Sequence, residues 1–306
     1  MLVVPAYAKV NLSLEVTERR PSGWHDIASV ICTIDWHDLV GVSIANSAEP
    51  VRLRLSGPHA EGVPTGPDNL AARAAALLLD LANDGQPKGT TALHLWLDKR
   101  VPAAAGLGGG SADAAAVLRA GAVLLTAAGR PIASHQIAEA AAELGSDVPA
   151  VLAGGSLLAT GRGEQLASLT VPPLHLAIAV AGPSATAAAY AALNDAERRP
   201  TGRTAALAQA LARGAHPPDD LLGSALEPAA CRAAPGLGEA LDRLRALTPH
   251  TPWHLTGSGG AAFTLAPTEE EATRLAATAQ AAGFPARACR TVPARLGPLP
   301  RHTTNQ

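Results

Sequence analysis

A run of glycines between two regular segments is the feature that most restricts how this chain can fold. Residues 106–110 hold four glycines in five positions. Alternating side chains over residues 91–97 predict a strand before the loop, and residues 114–128 predict a helix after it. Glycines allow positive φ and close approach of the backbone, so several N–H groups can point at one phosphate. Ser111 is predicted to cap the helix, whose dipole adds positive charge at the same place.

Two common phosphate-binding motifs do not fit this loop. A P-loop requires a lysine after its last glycine, and Gly110 is followed by Ser111 instead. A dinucleotide-binding fingerprint requires a third glycine where Ser111 stands. The alternative interpretation of the glycines is a flexible loop or a tight turn.

Composition narrows the class of protein. The 306 residues are 47% hydrophobic, which is enough for two modest domains or one large one. A net charge of −2 with dispersed basic residues provides no footprint for nucleic acid or an anionic membrane. Three well-separated cysteines favour a reducing compartment and argue against structural zinc. We expect a cytoplasmic protein with neither a nucleic-acid nor a membrane partner and with no metal-ligating cluster.

The opening segment has the alternation of a half-buried strand. One face carries the apolar side chains Val10, Leu12, Leu14 and Val16. The other face carries the polar side chains Lys9, Asn11, Ser13 and Glu15. Taken alone, the polar row predicts a sheet edge with a solvated face.

Further elements follow in order. Residues 31–56 predict a β-meander, and residues 71–82 a helix capped by Asp68 or Asn69. A helix over residues 134–144 ends at Gly145, and Asp147 then precedes Pro149, which by spacing alone is typical of a helix cap.

The second half of the chain alternates strands and helices in the same way. We expect a hairpin near residues 154–164, a strand at 174–180, a helix carrying Tyr190, and a helix within 195–218. Residues 253–265 predict a strand, a glycine turn and a strand, followed by a helix over 269–282 and a last strand near 286–292.

The glycine block resembles the nucleotide-binding motif of the GHMP kinase superfamily, Pro-x-x-x-Gly-Leu-Gly-Ser/Gly-Ser/Gly-Ser-Ala. The glycine turn near residue 257 resembles that superfamily's third motif, which packs against the first. The resemblance implies an α+β fold with a ribosomal protein S5 domain 2-like domain at residues 1–165, a ferredoxin-like domain at 166–296 and a tail at 297–306. It also implies ATP with Mg²⁺ as cofactor. The implied nucleotide contacts are Pro102, Ala103, Ala104, Ala105, Gly106, Leu107, Gly108, Gly109, Gly110, Ser111 and Ala112, with Asn69 as a further adenosine contact.

Two elements near the N-terminus resemble one branch of this superfamily. They are Pro-Ala-Lys-x-Asn-Leu, interrupted here by Tyr7, and Arg-x-Asp-Gly-Tyr-His, in which Ser22 and Trp24 replace two residues. Members of that branch phosphorylate the 2-hydroxyl of a cytidine diphosphate-linked methylerythritol for isoprenoid synthesis. The resemblance implies substrate contacts from Asn11, Trp24, His25, Thr186 and Tyr190. Trp24 and Tyr190 are expected to stack on the cytosine ring.

The catalytic pair is also implied by resemblance. Asp147 matches the aspartate of the family's Leu-Gly-Ala-Asp-Val-Pro-Phe, although Ser146 and Ala150 differ from it. The implied roles are base for Asp147 and partner for Lys9. A carboxylate held by an ammonium can accept the proton of an alcohol.

Two alternatives stay open. The first is another kinase of the superfamily that acts on a different small molecule. The second is a nucleotide-binding regulator without catalysis. The sequence is compatible with a monomer or a homodimer.

Overall fold

The computed structural model describes residues 1–20, 25–83, 90–183, 186–198 and 200–294. The strands are β1 Leu2–Arg19, β2 His25–Asn46, β3 Val51–Ser56, β4 Thr91–Asp98, β5 Ser156–Thr160, β6 Gln165–Leu169, β7 His175–Val180, β8 Gly223–Ser224, β9 His254–Leu255, β10 Ala261–Ala266 and β11 Ala286–Arg290. The helices are α1 Leu70–Asn83, α2 Gly109–Ala127, α3 Ser134–Leu144, α4 Val148–Ala153, α5 Thr186–Ala191, α6 Arg203–Ala212, α7 Glu227–Ala233, α8 Pro235–Leu247 and α9 Glu269–Ala281.

The first sheet contains the N-terminal strand in its interior. Within the described residues its order is β3-β4-β2-β1-β8, and β5 joins β2 and pairs with β6. The polar row of β1 is buried, since Lys9, Asn11, Ser13 and Glu15 are at most 4% exposed. The prediction of a solvated sheet edge is therefore wrong. β8 pairs with β1 at Ser13 and Leu14, so later parts of the chain cover this row.

The predicted β-meander over residues 31–56 is also wrong. β2 is one long strand, and β3 pairs in parallel with β4 instead of antiparallel with β2. A parallel neighbour requires a crossover, which α1 provides between β3 and β4. The alternation in residues 51–55 indicates a two-faced strand but carries no information about which strand is its partner.

Helix α2 is the central helix of the first half. It packs on β1, β2 and α1, and a Cβ at Gly121 would lie 2.5 Å from Leu78 Cδ1, so this helix pair approaches closely. Among the described residues α2 alone is long and apolar enough to cross a membrane, but 61% of that window is buried inside the fold. A buried core helix can have the same length and apolar composition as a helix that spans a membrane.

Two sheets face each other across a shared core. The second sheet has the order β11-β7-β10-β9 within the described residues. Along β7, Leu176 and Ile178 join the core shared with β1, whereas Ala177 and Ala179 pack with α8 and α9. The period of two on a strand thus gives β7 two buried faces. Helices α1 to α4 pack with the first sheet in a separate core, and the mixed α+β architecture is confirmed. β6 still pairs in the first sheet, β7 opens the second, and the division at residue 165 stays a prediction.

Candidate active site

A cleft of about 850 Å³ opens between the two halves. Its walls come from β1, the glycine loop, the residue before α4, helix α5 and the turn after β9. Strands from the first half thus contribute the buried polar groups, and α5 contributes the aromatic one. The sequence-predicted residues in this cleft are Lys9, Asn11, His25, Gly106, Gly108, Ser111, Asp147, Thr186 and Tyr190.

Lys9 and Asp147 meet in this cleft. Lys9 Nζ lies 3.2 Å from Asp147 Oδ2 and donates to Asn11 Oδ1 at 2.8 Å. The lysine side chain is 5% exposed and that of Asp147 is 41% exposed, so the pair is closed on one side and open on the other. Asp147 stands at the N-cap position of α4 without making a side-chain cap bond, which leaves its carboxylate available to Lys9. The proximity is observed, and the catalytic roles stay predictions.

Asn11 is held rigidly by its neighbours. Its Nδ2 donates to Ser29 Oγ at 2.7 Å, and Ser29 Oγ donates to Ser13 O at 2.6 Å. Its backbone N–H donates to Thr256 Oγ1 at 2.7 Å, which links β1 to the glycine turn of the second half. Because the amide nitrogen is occupied by Ser29, the amide oxygen faces Lys9. This contact fixes the ammonium by a second acceptor besides Asp147.

The glycine loop lies directly against Lys9. The backbone N–H of Lys9 donates to Leu107 O at 2.9 Å. A Cβ at Gly108 would lie 3.0 Å from Lys9 Cγ, so no larger residue fits over the lysine stem without a shift. Gly108 has φ 69° and is the N-cap of α2. The predictions that Ser111 caps this helix and that it starts at residue 114 are therefore wrong, because the left-handed turn at Gly108 starts the helix at Gly109.

The start of α2 has the properties of an anion-binding helix terminus, and phosphate binding there stays a prediction. The first N–H groups of a helix lack intrahelical acceptors, and the helix dipole adds positive charge there. Ser111 lies in this first turn and lines the cleft. The remaining loop residues, Pro102, Ala103, Ala104, Ala105, Leu107, Gly109 and Gly110, line a neighbouring cavity of about 400 Å³ together with Asn69, while Ala112 is buried in the first core.

The two glycine turns touch through their backbones. A Cβ at Gly106 would lie 2.1 Å from Gly259 O, and a Cβ at Gly260 would lie 2.6 Å from Ala105 C. Neither position accepts a side chain without displacement of main chain. The contact that the sequence predicts between the first and third motifs is therefore present, and it closes one end of the cleft.

Aromatic rings line the other side of the cleft. His25 and Tyr190 have ring centroids 5.3 Å apart and planes inclined at 31°. Burial, with a smaller contribution from the charge of Asp147, raises the pKa of Tyr190 to about 12, so its hydroxyl stays neutral near pH 7. Thr186 Oγ1 and Ser258 Oγ are 2.7 Å apart, which joins α5 to the second glycine turn. Trp24 lies outside the described residues.

Asn69 has the capping role that the sequence offered as one of its two interpretations. Its Oδ1 accepts from the N–H of Ala71 at 2.9 Å, and its Nδ2 donates to Pro64 O at 2.8 Å. Both polar ends of this side chain therefore have protein partners. It still lines the smaller cavity, so an adenosine contact stays a prediction.

Several cleft residues were not identified from sequence. Arg162 and Arg198 line the main cavity, and Lys99 and Asp113 line the smaller one. The arginines lie in loops with no periodic pattern. Lys99 and Asp113 flank the glycine motif directly, and this position is the signal that could have indicated them.

Comparison with known proteins agrees with this geometry. Residues 69–155 match the family described as GHMP kinases N terminal domain. Solved GHMP-type enzymes share the fold: a mevalonate kinase of L. major has a TM-score of 0.67 at 16% identity, with 96% of each chain covered. The fold is that of the GHMP-type kinases.

Closer relatives define the branch. The 4-diphosphocytidyl-2-C-methyl-D-erythritol kinase of Desulfitobacterium hafniense is 35% identical, with 89% of each chain covered. That of Thermus thermophilus is 39% identical, covering 91% of this chain and 92% of the relative. A crystal structure of 4-(cytidine 5'-diphospho)-2C-methyl-D-erythritol kinase has a TM-score of 0.74 at 35% identity, covering 95% of this chain and 99% of that one. The chain belongs to the 4-diphosphocytidyl-2-C-methyl-D-erythritol kinase family.

Proposed function

We propose that this chain transfers the γ-phosphoryl group of MgATP to the 2-hydroxyl of 4-diphosphocytidyl-2-C-methyl-D-erythritol. The single observation that carries the proposal is the Lys9–Asp147 pair, 3.2 Å apart, at the mouth of a cleft that also contains the glycine loop. Free thiols at Cys32, Cys231 and Cys289 support a reducing compartment, and we place the reaction in the cytoplasm.

In the proposed reaction Asp147 orients the acceptor hydroxyl and takes its proton. The hydroxyl oxygen bonds to the γ-phosphorus while the bond from that phosphorus to the β–γ bridging oxygen breaks, which releases ADP. Lys9 stabilises the charge on the transferred group. The N–H groups at the start of α2 hold the phosphates. Positioning and charge stabilisation account for most of the expected acceleration.

The cleft is compatible with Mg²⁺ carried by the nucleotide. Mg²⁺ prefers oxygen ligands and is usually bound through substrate phosphates plus one or two protein groups. The hydroxyl of Ser111 lines the cleft and is an oxygen donor of this kind. When bound, the ion neutralises charge on the β- and γ-phosphate oxygens.

The His25–Tyr190 side of the cleft supports a planar base in the acceptor. The two rings, 5.3 Å apart and inclined at 31°, offer aromatic faces to a ligand, and an imidazole nitrogen can hydrogen-bond a base edge. Mevalonate and homoserine have no planar ring that would use this surface. This is the argument for the cytidine-linked acceptor over the acceptors of other GHMP-type kinases.

A substrate panel tests the proposal. Purified chain is incubated with MgATP and either the cytidine diphosphate-linked acceptor, free methylerythritol 4-phosphate, mevalonate or homoserine, and both ADP release and the phosphorylated product are measured. We expect turnover with the cytidine-linked acceptor at a kcat/KM at least about a hundredfold above the others. Preference for an acceptor without cytidine supports the alternative kinase, and ATP binding without turnover on any acceptor supports the regulator.

A further inference from the structure

A buried charge cluster flanks the glycine loop on the side of the smaller cavity. Lys99 follows β4 directly, and Asp113 lies near the start of α2, so the two residues bracket the loop in sequence. Lys99 Nζ donates to carboxylate oxygens of both Asp113 and Asp38, the last of which lies on β2. Lys99, Asp113 and Asp38 are 3%, 2% and 0% exposed. None of the three takes part in the proposed reaction.

The second oxygen of Asp38 binds the beginning of the loop. Asp38 Oδ1 accepts from the backbone N–H groups of Arg100 and Val101, the latter at 2.8 Å. A Cβ at Gly109 would lie 3.7 Å from Asp38 Oδ2, so the same carboxylate also reaches the first residue of α2. The contacts form a closed path from the first residues of the loop, through Asp38 and Lys99, to Asp113 on the helix.

Stability alone is a weak reason for this cluster. Taking three charges out of water is costly, and apolar side chains often replace buried ion pairs without loss. The cluster has two carboxylates for one ammonium, and the buried Oδ1 of Asp113 has no hydrogen-bond partner among the described residues. Lys99 and Asp113 also line the cavity formed by the loop itself. These features indicate that the cluster serves the glycine loop and the ligand that the loop binds.

We infer that Asp38, Lys99 and Asp113 form a loop clamp, a set of positioning residues that holds both ends of the glycine loop and thereby sets the affinity for the ATP phosphates. The inference rests on the proposed kinase function. N–H groups bind a phosphate well only when they are fixed within a fraction of an ångström, and the clamp fixes the segment that carries them. None of the three residues lines the main cleft, where the acceptor is proposed to bind, so acceptor binding is expected to be independent of the clamp.

Substitution of Asp38 separates the two ligands. Asp38→Ala removes the acceptor of the Arg100 and Val101 N–H groups, and we expect the Kd for the non-hydrolysable analogue AMPPNP and the KM for ATP to rise at least about tenfold. The KM for the cytidine-linked acceptor is expected to change less than about twofold. Asp38→Asn keeps an oxygen acceptor at the same place and is expected to recover most of the AMPPNP affinity.

Glu15→Ala is the matched control. Glu15 is a buried carboxylate, 4% exposed, that accepts backbone N–H groups of Thr201, Gly202 and Thr204. It thus has the same chemistry as Asp38 but holds the start of α6 instead of the loop. We expect Glu15→Ala to lower thermal stability while leaving the Kd for AMPPNP within about twofold of the wild type.

Three results would overturn the inference. They are unchanged AMPPNP affinity in folded Asp38→Ala, an equal loss of affinity for both substrates, and an equal loss in Glu15→Ala. If Asp38→Ala fails to fold, Asp113→Ala takes its place, because it removes the acceptor of Lys99 on the helix. Unchanged AMPPNP affinity in folded Asp113→Ala would overturn the inference as well. AMPPNP binding is measured without acceptor, so absence of turnover on the cytidine-linked acceptor would contradict the proposed function and leave this readout intact.

Discussion

Lys9 and Lys99 are two buried lysines beside the same glycine loop, and their surroundings differ in one respect. Lys9 is 4% exposed and Lys99 is 3% exposed. The carboxylate beside Lys9 belongs to Asp147, whose side chain is 41% exposed, whereas the partners of Lys99 are at most 3% exposed. An ammonium that faces an open carboxylate is available to substrate. An ammonium enclosed by two buried carboxylates is bound to the protein around it.

The largest expected effect tests the open pair. Lys9→Met and Asp147→Asn should each lower kcat by about 10²–10⁴-fold, because each removes a group that acts on the transferred phosphoryl or the acceptor proton. Steady-state kinetics with saturating substrates measures this loss. The stability of Lys9→Met should change by less than about 1 kcal/mol, since the carboxylate left behind, that of Asp147, is 41% exposed and can be solvated.

A remote ion pair provides the control for these variants. Glu271→Gln removes an exposed i,i+3 pair with Arg274 on α9, and its kcat should equal that of the wild type. Near-normal kcat in a folded Asp147→Asn protein would contradict the proposed role of the open pair.

The closed cluster should respond in stability. Lys99→Met leaves Asp38 and Asp113 buried without a cation, and breaking such a pair destabilises proteins by about 3–5 kcal/mol. Urea unfolding of Lys99→Met and Lys9→Met, followed by far-UV circular dichroism, compares the two lysines directly. Equal losses of unfolding free energy would erase the distinction between them.

A substitution of Tyr190, on the aromatic side of the cleft, should affect binding of the acceptor and not of ATP. Tyr190→Leu removes a stacking surface worth about 1–3 kcal/mol, so the KM for the cytidine-linked acceptor should rise about 5- to 150-fold while the KM for ATP stays constant. Tyr190→Phe keeps the ring, which provides the stacking surface, and should retain most of the affinity for the acceptor. A rise in the KM for ATP instead would show that Tyr190 contacts the nucleotide and not the acceptor.

The most gradual effect is a pH dependence that arises in the closed cluster. Burial, opposed by Lys99 and reinforced by Asp38, raises the pKa of Asp113 to about 7 from the ordinary 3.8. The folded protein therefore binds a proton that the unfolded chain has released, and this contribution to stability falls as pH rises from about 4 to about 7. The slope is at most about 1.4 kcal/mol per pH unit.

Asp113→Asn removes this titration. The difference in unfolding free energy between wild type and variant, measured by urea at pH 5, 6, 7 and 8, should shift in favour of the variant up to about pH 7 and then level off. Parallel curves for the two proteins would show that Asp113 has an ordinary pKa in the fold.

Local sequence signals were sufficient where the structure is decided locally. The helix over residues 134–144 has the predicted bounds, because a terminating glycine and a regular apolar period define them. The partner of β3 could not be predicted, because alternation specifies a face of the strand and the crossover through α1 decides the neighbour. The start of α2 was misplaced for a similar reason, since the left-handed conformation of Gly108 is visible only in the backbone.

The residues of the candidate site likewise fall into those that could be predicted from local sequence and those that could not. Lys9 and Asp147 could be named because each lies in a motif, and the fold brings them together from positions far apart in the chain. The loop clamp could be predicted only in part, because Lys99 and Asp113 flank the glycine motif whereas nothing in the sequence indicates Asp38. Lys99 lies 61 residues from Asp38 and 14 from Asp113, and no periodic pattern joins three such positions. Buried charge clusters of this kind depend on packing that only the folded chain defines.

The polar row of β1 joins three separate parts of the molecule. Lys9 contacts the glycine loop, Asn11 binds Thr256 in the second half, and Glu15 holds the start of α6. Successive side chains of a strand point in opposite directions, so a one-residue deletion within β1 would exchange this row for its apolar neighbours. The cleft would then lose its ammonium, its bridge to the second half and its anchored helix at once. In this strand, a one-residue deletion would therefore remove more of the contacts that build the cleft than a single substitution would.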